Sequence, residues 1–324
     1  MSIIIPEHIL DIVSETAKNF IQNKSHKLLQ GYPKHMHDGI LQSSTHHLVD
    51  ALDRRELHRS ILKNRVQHLS DERPDRGEIL YVVGPYGAGK STLLSAFDER
   101  IAQEQKNGCD PGVYIDEHLE KVYQVYKNIK PNLVNSDFEY YKTVLPEYDP
   151  AQSNYSIVRA EASGLDFALA ELAKELRAPL LLEQCNSHID HFLEQYSYDV
   201  NITLLGVTAD IHDNAERLLQ RNELTGNHIP ASQLADAMNN FSTPGRFEAE
   251  SKKTGLAVLA FLNPDAGYKT IFSREKGAVV FRNDSAMQAF ERPHAIGKAD
   301  LSAKINAIME PPPVLPPANP SPGF

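Results

Sequence analysis

The stretch Ile79-Leu80-Tyr81-Val82-Val83-Gly84-Pro85-Tyr86-Gly87-Ala88-Gly89-Lys90-Ser91-Thr92-Leu93-Leu94 decides the fold. Its first five residues are apolar and rich in β-branched side chains, the composition of a strand buried on both faces. Gly84 to Ser91 then matches G-x-x-x-x-G-K-[ST] completely. Leu93, Leu94, Phe97 and Ile101 follow at helical spacing, and the helix stops near Gly108. Strand, glycine-rich turn and helix in that order are the context in which this motif binds phosphate. Glycines let the backbone wrap an anion without Cβ clashes, and the loop N–H groups and the helix N-terminus then face it. Gly84, Pro85, Tyr86, Gly87, Ala88, Gly89, Lys90, Ser91 and Thr92 are therefore read as a nucleotide-binding (Walker A) loop. Lys90 would reach the β- and γ-phosphates and the Ser91 hydroxyl would hold Mg2+.

Outward from this loop, apolar runs and helical patterns alternate. Gly112–Ile115, Pro179–Glu183, Val200–Val207, Leu256–Leu262 and Ala278–Arg282 read as strands. Val158, Ala162, Leu165, Leu169, Leu172 and Leu176 form an amphipathic helical stripe. Asp210 to Leu224 reads as a helix with Asp210 available as its cap. Alternation of this kind predicts an α/β fold with a mainly parallel sheet flanked by helices. Upstream, Pro6–Gln22 and Thr45–Leu69 carry helical spacing, and the charged Ser70–Gly77 stretch separates them from the first strand. The reading is an N-terminal helical extension over 1–76, a nucleotide-binding domain over 77–290 and a C-terminal segment over 291–324. The extension is expected to be separable from catalysis. Residues 311–324 hold seven of the 20 prolines, which predicts a disordered or polyproline tail.

Composition narrows the function. A formal charge of -10 disfavours general nucleic-acid binding, which needs a basic surface. No run approaches the ~18 apolar residues of a membrane span, and the N-terminus does not read as a secretory signal. Cys109 and Cys185 lack a CxxC spacing and are read as reduced thiols of a cytoplasmic protein. Eight of the 14 histidines precede Gly77, among them His35, His37, His46, His47 and His58, but their spacing fits no standard zinc pattern.

The loop alone does not separate a GTPase switch, an ATPase motor and a small-molecule kinase. No N-K-x-D follows it, so guanine recognition of the usual kind is unsupported. The third strand ends in a lone acid, Leu181-Leu182-Glu183, rather than the D-E pair of a motor.

The order of features resembles the zeta-toxin family of P-loop kinases, from about Glu78 to Pro230. The matching pieces are the phosphate loop, Val113-Tyr114-Ile115-Asp116, Pro131-Asn132, Arg159-Ala160-Glu161-Ala162, Leu181-Leu182-Glu183, a helix with Arg217 and Arg221, and Pro230. The resemblance implies ATP-dependent phosphorylation of a small nucleotide-like acceptor, with UDP-N-acetylglucosamine or a dinucleotide such as NAD as candidates. It implies a toxin or effector acting in the bacterial cytoplasm or a host cytosol, with an antitoxin or other inhibitory protein as partner. Asp116 is then the general base or a metal ligand, and His118 the alternative base, because the family's acid-x-acid stands here as Asp116-Glu117-His118. Glu161 and Glu183 become acceptor contacts. Arg221 matches a lid arginine, and Arg217, four residues earlier, shares its helical face. Gln184-Cys185 replaces the family's Gly-Thr, and Asn227 stands where a second lid arginine is expected. A non-kinase NTPase, or a degenerate kinase fold acting by contact alone, stays open.

Overall fold

The computed structural model describes residues 3–28, 42, 44–70, 77–107, 115–149, 155–185, 200–225, 229–263 and 265–309. Two N-terminal helices, α1 (Glu7–Leu28) and α2 (Leu52–Val66), precede the first strand, β1 (Gly77–Val83). Next come α3 (Lys90–Asn107), α4 (Glu117–Ile129), β2 (Val134–Ser136), α5 (Phe138–Val144), α6 (Tyr155–Glu175) and β3 (Leu180–Gln184). The chain continues through β4 (Val200–Ala209), α7 (Ile211–Thr225), α8 (Ala231–Phe241), α9 (Arg246–Ser251), β5 (Leu256–Asn263), β6 (Gly267–Glu275) and β7 (Ala278–Arg282). The last described helices are α10 (Asp284–Ile296) and α11 (Lys298–Met309).

One seven-stranded sheet runs in the order β2-β3-β1-β4-β5-β6-β7. The strands β2, β3, β1, β4 and β5 are mutually parallel, and β6 and β7 complete the sheet as an antiparallel hairpin. The expected mainly parallel α/β architecture is therefore the observed one. Val83 lies beside Gln184 of β3 and Gly206 of β4, so the phosphate loop leaves β1 between two parallel neighbours. The crevice at the carboxyl ends of such strands is where open α/β sheets bind ligands.

The apolar run of β1 is explained by burial on both faces. Leu80 and Val82 pack with Leu93 and Phe97 of α3 and with Val122, Tyr123 and Tyr126 of α4. Ile79, Tyr81 and Val83 pack on the other side with Leu165, Leu169 and Leu172 of α6. That second cluster also takes in Ile9, Leu10 and Val13 of α1 and Ile61, Leu62 and Val66 of α2.

The N-terminal region is helical as expected, and its helices pack into the same core as the sheet. A Cβ added at Gly164 of α6 would lie 2.6 Å from the Val13 carbonyl oxygen, so α1 and α6 meet backbone to backbone. Burying six side chains of this size contributes on the order of 10 kcal/mol, as much as a whole domain's net stability. The helices before the charged stretch and the sheet after it therefore share one apolar cluster. The expected division after residue 290 falls inside α10.

Two further expectations concern residues that the structure does not describe. Residues 112–114 of the expected second strand, and the proline-rich 311–324, lie outside the described residues. The strand that borders β3 is β2, a three-residue segment that no periodicity announces. Elsewhere the readings hold: the α6 stripe is buried from Val158 to Leu172, and Asp210 accepts a hydrogen bond from the His212 N–H at the start of α7.

Candidate functional site

The phosphate loop is held from three sides. The Gly84 N–H donates to the Gln184 carbonyl of β3. The Tyr268 hydroxyl of β6 donates to the Gly89 carbonyl at 2.6 Å, and Arg217 Nη1 of α7 donates to the Gly87 carbonyl at 3.2 Å. Gly87 has φ +74, and a Cβ there would lie 2.3 Å from the Asn214 carbonyl oxygen, so both conformation and space require glycine. The Lys90 ammonium folds back over the loop, donating to the carbonyls of Gly84 at 2.7 Å and Pro85 at 3.1 Å. It is thus suspended where a phosphate would be cradled.

Beside the loop opens a cleft of about 560 Å³. Lys90 and Ser91 form its wall at the start of α3, Glu183 stands at the end of β3, Asp137 follows β2, and Arg221 reaches in from α7. Tyr86, Asp98, Tyr126, Lys130 and Glu139 extend the lining. Ser91 Oγ donates to Glu183 Oε2 at 3.2 Å. Burial pushes the Glu183 carboxyl up; the Lys90 charge and the Ser91 hydroxyl oppose this, the Asp137 charge adds to it, and the net shift is upward. A hydroxyl and a carboxylate oxygen side by side at a phosphate loop are the hard donor set that suits Mg2+.

Asp137 is the functional candidate that the sequence reading missed. It ends β2 and begins α5, where its Oδ1 accepts from the N–H groups of Glu139 at 3.0 Å and Tyr140 at 3.2 Å. The cap fixes the carboxylate at the mouth of the cleft. A signal existed in Val134-Asn135-Ser136-Asp137-Phe138, a short apolar start followed by a capping acid.

Asp116 and His118 do not line this cleft. Asp116 caps α4: its Oδ1 accepts from the N–H groups of His118 and Leu119 and from the Thr270 hydroxyl, and its Oδ2 accepts from the Thr270 N–H. Burial works against its charge but is outweighed by those four hydrogen bonds, and the carboxyl lies below its usual range. A carboxylate so fully engaged in tying α4 to β6 is a poor proton acceptor. The His118 ring is buried against Phe281 of β7, with centroids 5.0 Å apart.

Glu161 is also elsewhere. It is fully buried and receives Arg54 Nε at 2.5 Å, Arg54 Nη2 at 2.7 Å and pairs with His58 Nε2 at 2.5 Å. Burial disfavours its charge, but hydrogen bonds from His58, Arg54 and Thr45 and the Arg54 charge prevail, holding it at about 2. It anchors α2 to α6 rather than touching an acceptor. Of the expected site residues, the structure therefore brings together Tyr86, Lys90, Ser91, Glu183 and Arg221 at the cleft, with Arg217 on the loop. Asn227, His35 and His37 lie outside the described residues.

No family model and no curated protein matches the chain. Among solved structures it is similar to a chain of the AvrRxo1-ORF1:AvrRxo1-ORF2 complex with ATP, at 14% identity and a TM-score of 0.54, covering 80% of this chain and 90% of that one. The native form of the same complex gives a TM-score of 0.55 at 13% identity, covering 80% and 84%. A chain from the PezAT chromosomal toxin-antitoxin system of Streptococcus pneumoniae aligns over 79% of this chain and 97% of that one, at 13% identity and a TM-score of 0.44. The likeness to the AvrRxo1-ORF1:AvrRxo1-ORF2 chains is one of fold, a mixed α/β architecture around one sheet.

Proposed function

We propose that the chain is an ATP-dependent phosphotransferase of the zeta-toxin kind, acting on a hydroxyl of a small nucleotide-like metabolite such as UDP-N-acetylglucosamine or NAD. The observation that carries this reading is the convergence of Lys90, Ser91, Glu183, Asp137 and Arg221 on one cleft at the carboxyl ends of parallel strands. An NTPase needs the first three; an acid on a separate strand beyond them is what an acceptor hydroxyl requires.

In this reading Ser91 and Glu183 would hold the Mg2+ that accompanies ATP, and the ion would neutralise phosphate charge. Lys90 draws negative charge from the transferring phosphoryl group, and Arg221 supplies the same from the opposite wall. Arg217 fixes the loop. Asp137 accepts the proton of the attacking hydroxyl, taking the role first expected of Asp116. The similarity to a complex with ATP supports the nucleotide, and the two-protein composition of that complex supports an inhibitory protein partner. A toxin or effector role, in the bacterial cytoplasm or a host cytosol, belongs to the same reading.

The test is product analysis. The full chain is incubated with Mg2+, γ-labelled ATP and either UDP-N-acetylglucosamine or NAD, and the products are separated by mass. A phosphorylated acceptor is expected. Release of inorganic phosphate alone, with every sugar nucleotide and dinucleotide supplied, sinks the kinase reading in favour of an NTPase.

A further inference from the structure

We infer that α2 of the N-terminal region positions the acceptor side of the cleft, with Arg65 as the positioning residue for Asp137; this rests on the reading of Asp137 as proton acceptor. Among the described residues β2, three residues long, is the edge strand of the sheet, paired with β3 through Val134 beside Leu180 and Ser136 beside Leu182. A strand this short does not hold its own direction, and its outer carbonyls need partners.

The end of α2 and the residues after it supply them. Arg65 Nη2 donates to the Asn135 carbonyl, and His68 Nε2 lies 3.1 Å from the Leu133 carbonyl. Carbonyls two residues apart point to the same edge of a strand, so these side chains stand in for a missing neighbour. One step earlier, the Ser70 N–H donates to Asn132 Oδ1 at 3.1 Å. Asp137 is two residues beyond the carbonyl that Arg65 holds.

Arg65 does more than meet one carbonyl. Its guanidinium lies 4.5 Å from the centre of the Tyr140 ring, on the helix that Asp137 caps. Its charge also acts on Asp166 of α6, whose Oδ1 accepts the Ser136 hydroxyl at 2.5 Å. Both the backbone two residues before Asp137 and the helix after it are therefore tied to one cation. Downstream, Arg54 of the same α2 binds Glu147 through Nη1 at 2.9 Å and Nη2 at 2.8 Å. The stretch that presents Asp137 is held at both ends by one helix. Displacing a catalytic group by about 1 Å costs on the order of 10²-fold in rate, so a brace at this point acts on chemistry.

The test uses the full chain as wild type, Arg65→Ala, Arg65→Lys and Asp137→Asn. Hydrogen exchange is followed by mass spectrometry, and transfer from MgATP is measured with UDP-N-acetylglucosamine and NAD as acceptors. In Arg65→Ala, exchange over 133–138 is expected to speed at least tenfold while that of 84–91 stays as in wild type. The kcat for transfer falls at least tenfold with KM for ATP unchanged, and millimolar guanidinium restores part of it. Arg65→Lys is intermediate, and it carries the comparison if Arg65→Ala does not fold. Unchanged exchange over 133–138 in the folded variants, or faster exchange with unchanged kcat, overturns the inference. The control separates the two readings. Full transfer by Asp137→Asn overturns the reading of Asp137 and this inference with it. Loss of transfer in Asp137→Asn but not in the Arg65 variants overturns the inference alone.

Discussion

Arg221 and Glu139 face each other across the cleft, with Arg221 Nη2 3.1 Å from Glu139 Oε1. The pair links α7, which carries the loop-binding Arg217, to α5, which Asp137 caps. Glu139 also pairs with the buried Lys142, so Arg221 is held by an acid that is itself anchored. In the proposed kinase a γ-phosphate would have to compete for this arginine.

Glu139→Gln therefore releases Arg221 toward nucleotide. The Arg221–Glu139 pair is partly exposed and worth less than about 1 kcal/mol, which corresponds to MgATP binding about two- to fivefold tighter in titration calorimetry. Weaker binding contradicts the competition. Arg221→Ala should bind MgATP but lose about 10³-fold in transfer.

Asp137→Asn and Asp116→Asn should part company. The first is expected to lower transfer by about 10²-fold or more with ATP binding retained. The second keeps the capping oxygen but turns an amide donor toward the Thr270 N–H, and is expected to cost on the order of 1–3 kcal/mol in urea unfolding, with transfer kept. The opposite pattern returns the base to Asp116.

Lys90→Ala is expected to abolish transfer without unfolding the chain. Its ammonium donates to the loop carbonyls of Gly84 and Pro85, and the circular dichroism spectrum should match wild type. Unchanged turnover in a folded variant sinks the phosphate-loop assignment.

Glu183 sets a pH limit. Its carboxyl is shifted upward, so its ionised form, the one that binds a cation with Ser91, is reached at higher pH than for an ordinary glutamate of about 4.3. Mg2+-dependent ATP binding should thus rise with pH through a midpoint above that value. Glu183→Gln should weaken binding and flatten this acid limb; a midpoint below 4 contradicts it.

Glu161 has the opposite sign. Its folded pKa of about 2 lies below the ordinary value, so its stabilisation is complete above the ordinary value and fades as pH falls toward 2. The difference corresponds to roughly 3 kcal/mol. Arg54→Ala leaves the acid buried without its guanidinium and should cost about 3–5 kcal/mol. A chain beginning near Asp71 loses this pair and the apolar contacts of α1 and α2, and should be insoluble; a soluble product that binds MgATP contradicts the single core.

Where the sequence was readable, long-range order was not needed. The run Ile79–Val83, the loop and the stripe of α6 each carry a local pattern that one buried environment explains. β2 spans three residues, too few to display a period of two, and its support comes from Arg65, which lies far from it in sequence. Asp116 misled because an acid after an apolar run looks alike whether it ends a strand or caps a helix. The two N–H groups of the helix that follows, together with Thr270 of β6, decide between them. Glu161 sits beside the apolar stripe and resembles a solvated flank until Arg54 and His58 are brought to it by α2.

The contact of Val13 with Gly164 also has a consequence during synthesis. About 150 residues separate the two, and translation proceeds at roughly 5–20 residues per second. The apolar side of α1 therefore waits about 7–30 s after leaving the ribosome before α6 emerges to cover it. Through that interval the nascent chain displays Ile9, Leu10 and Val13 to whatever chaperone stands at the exit.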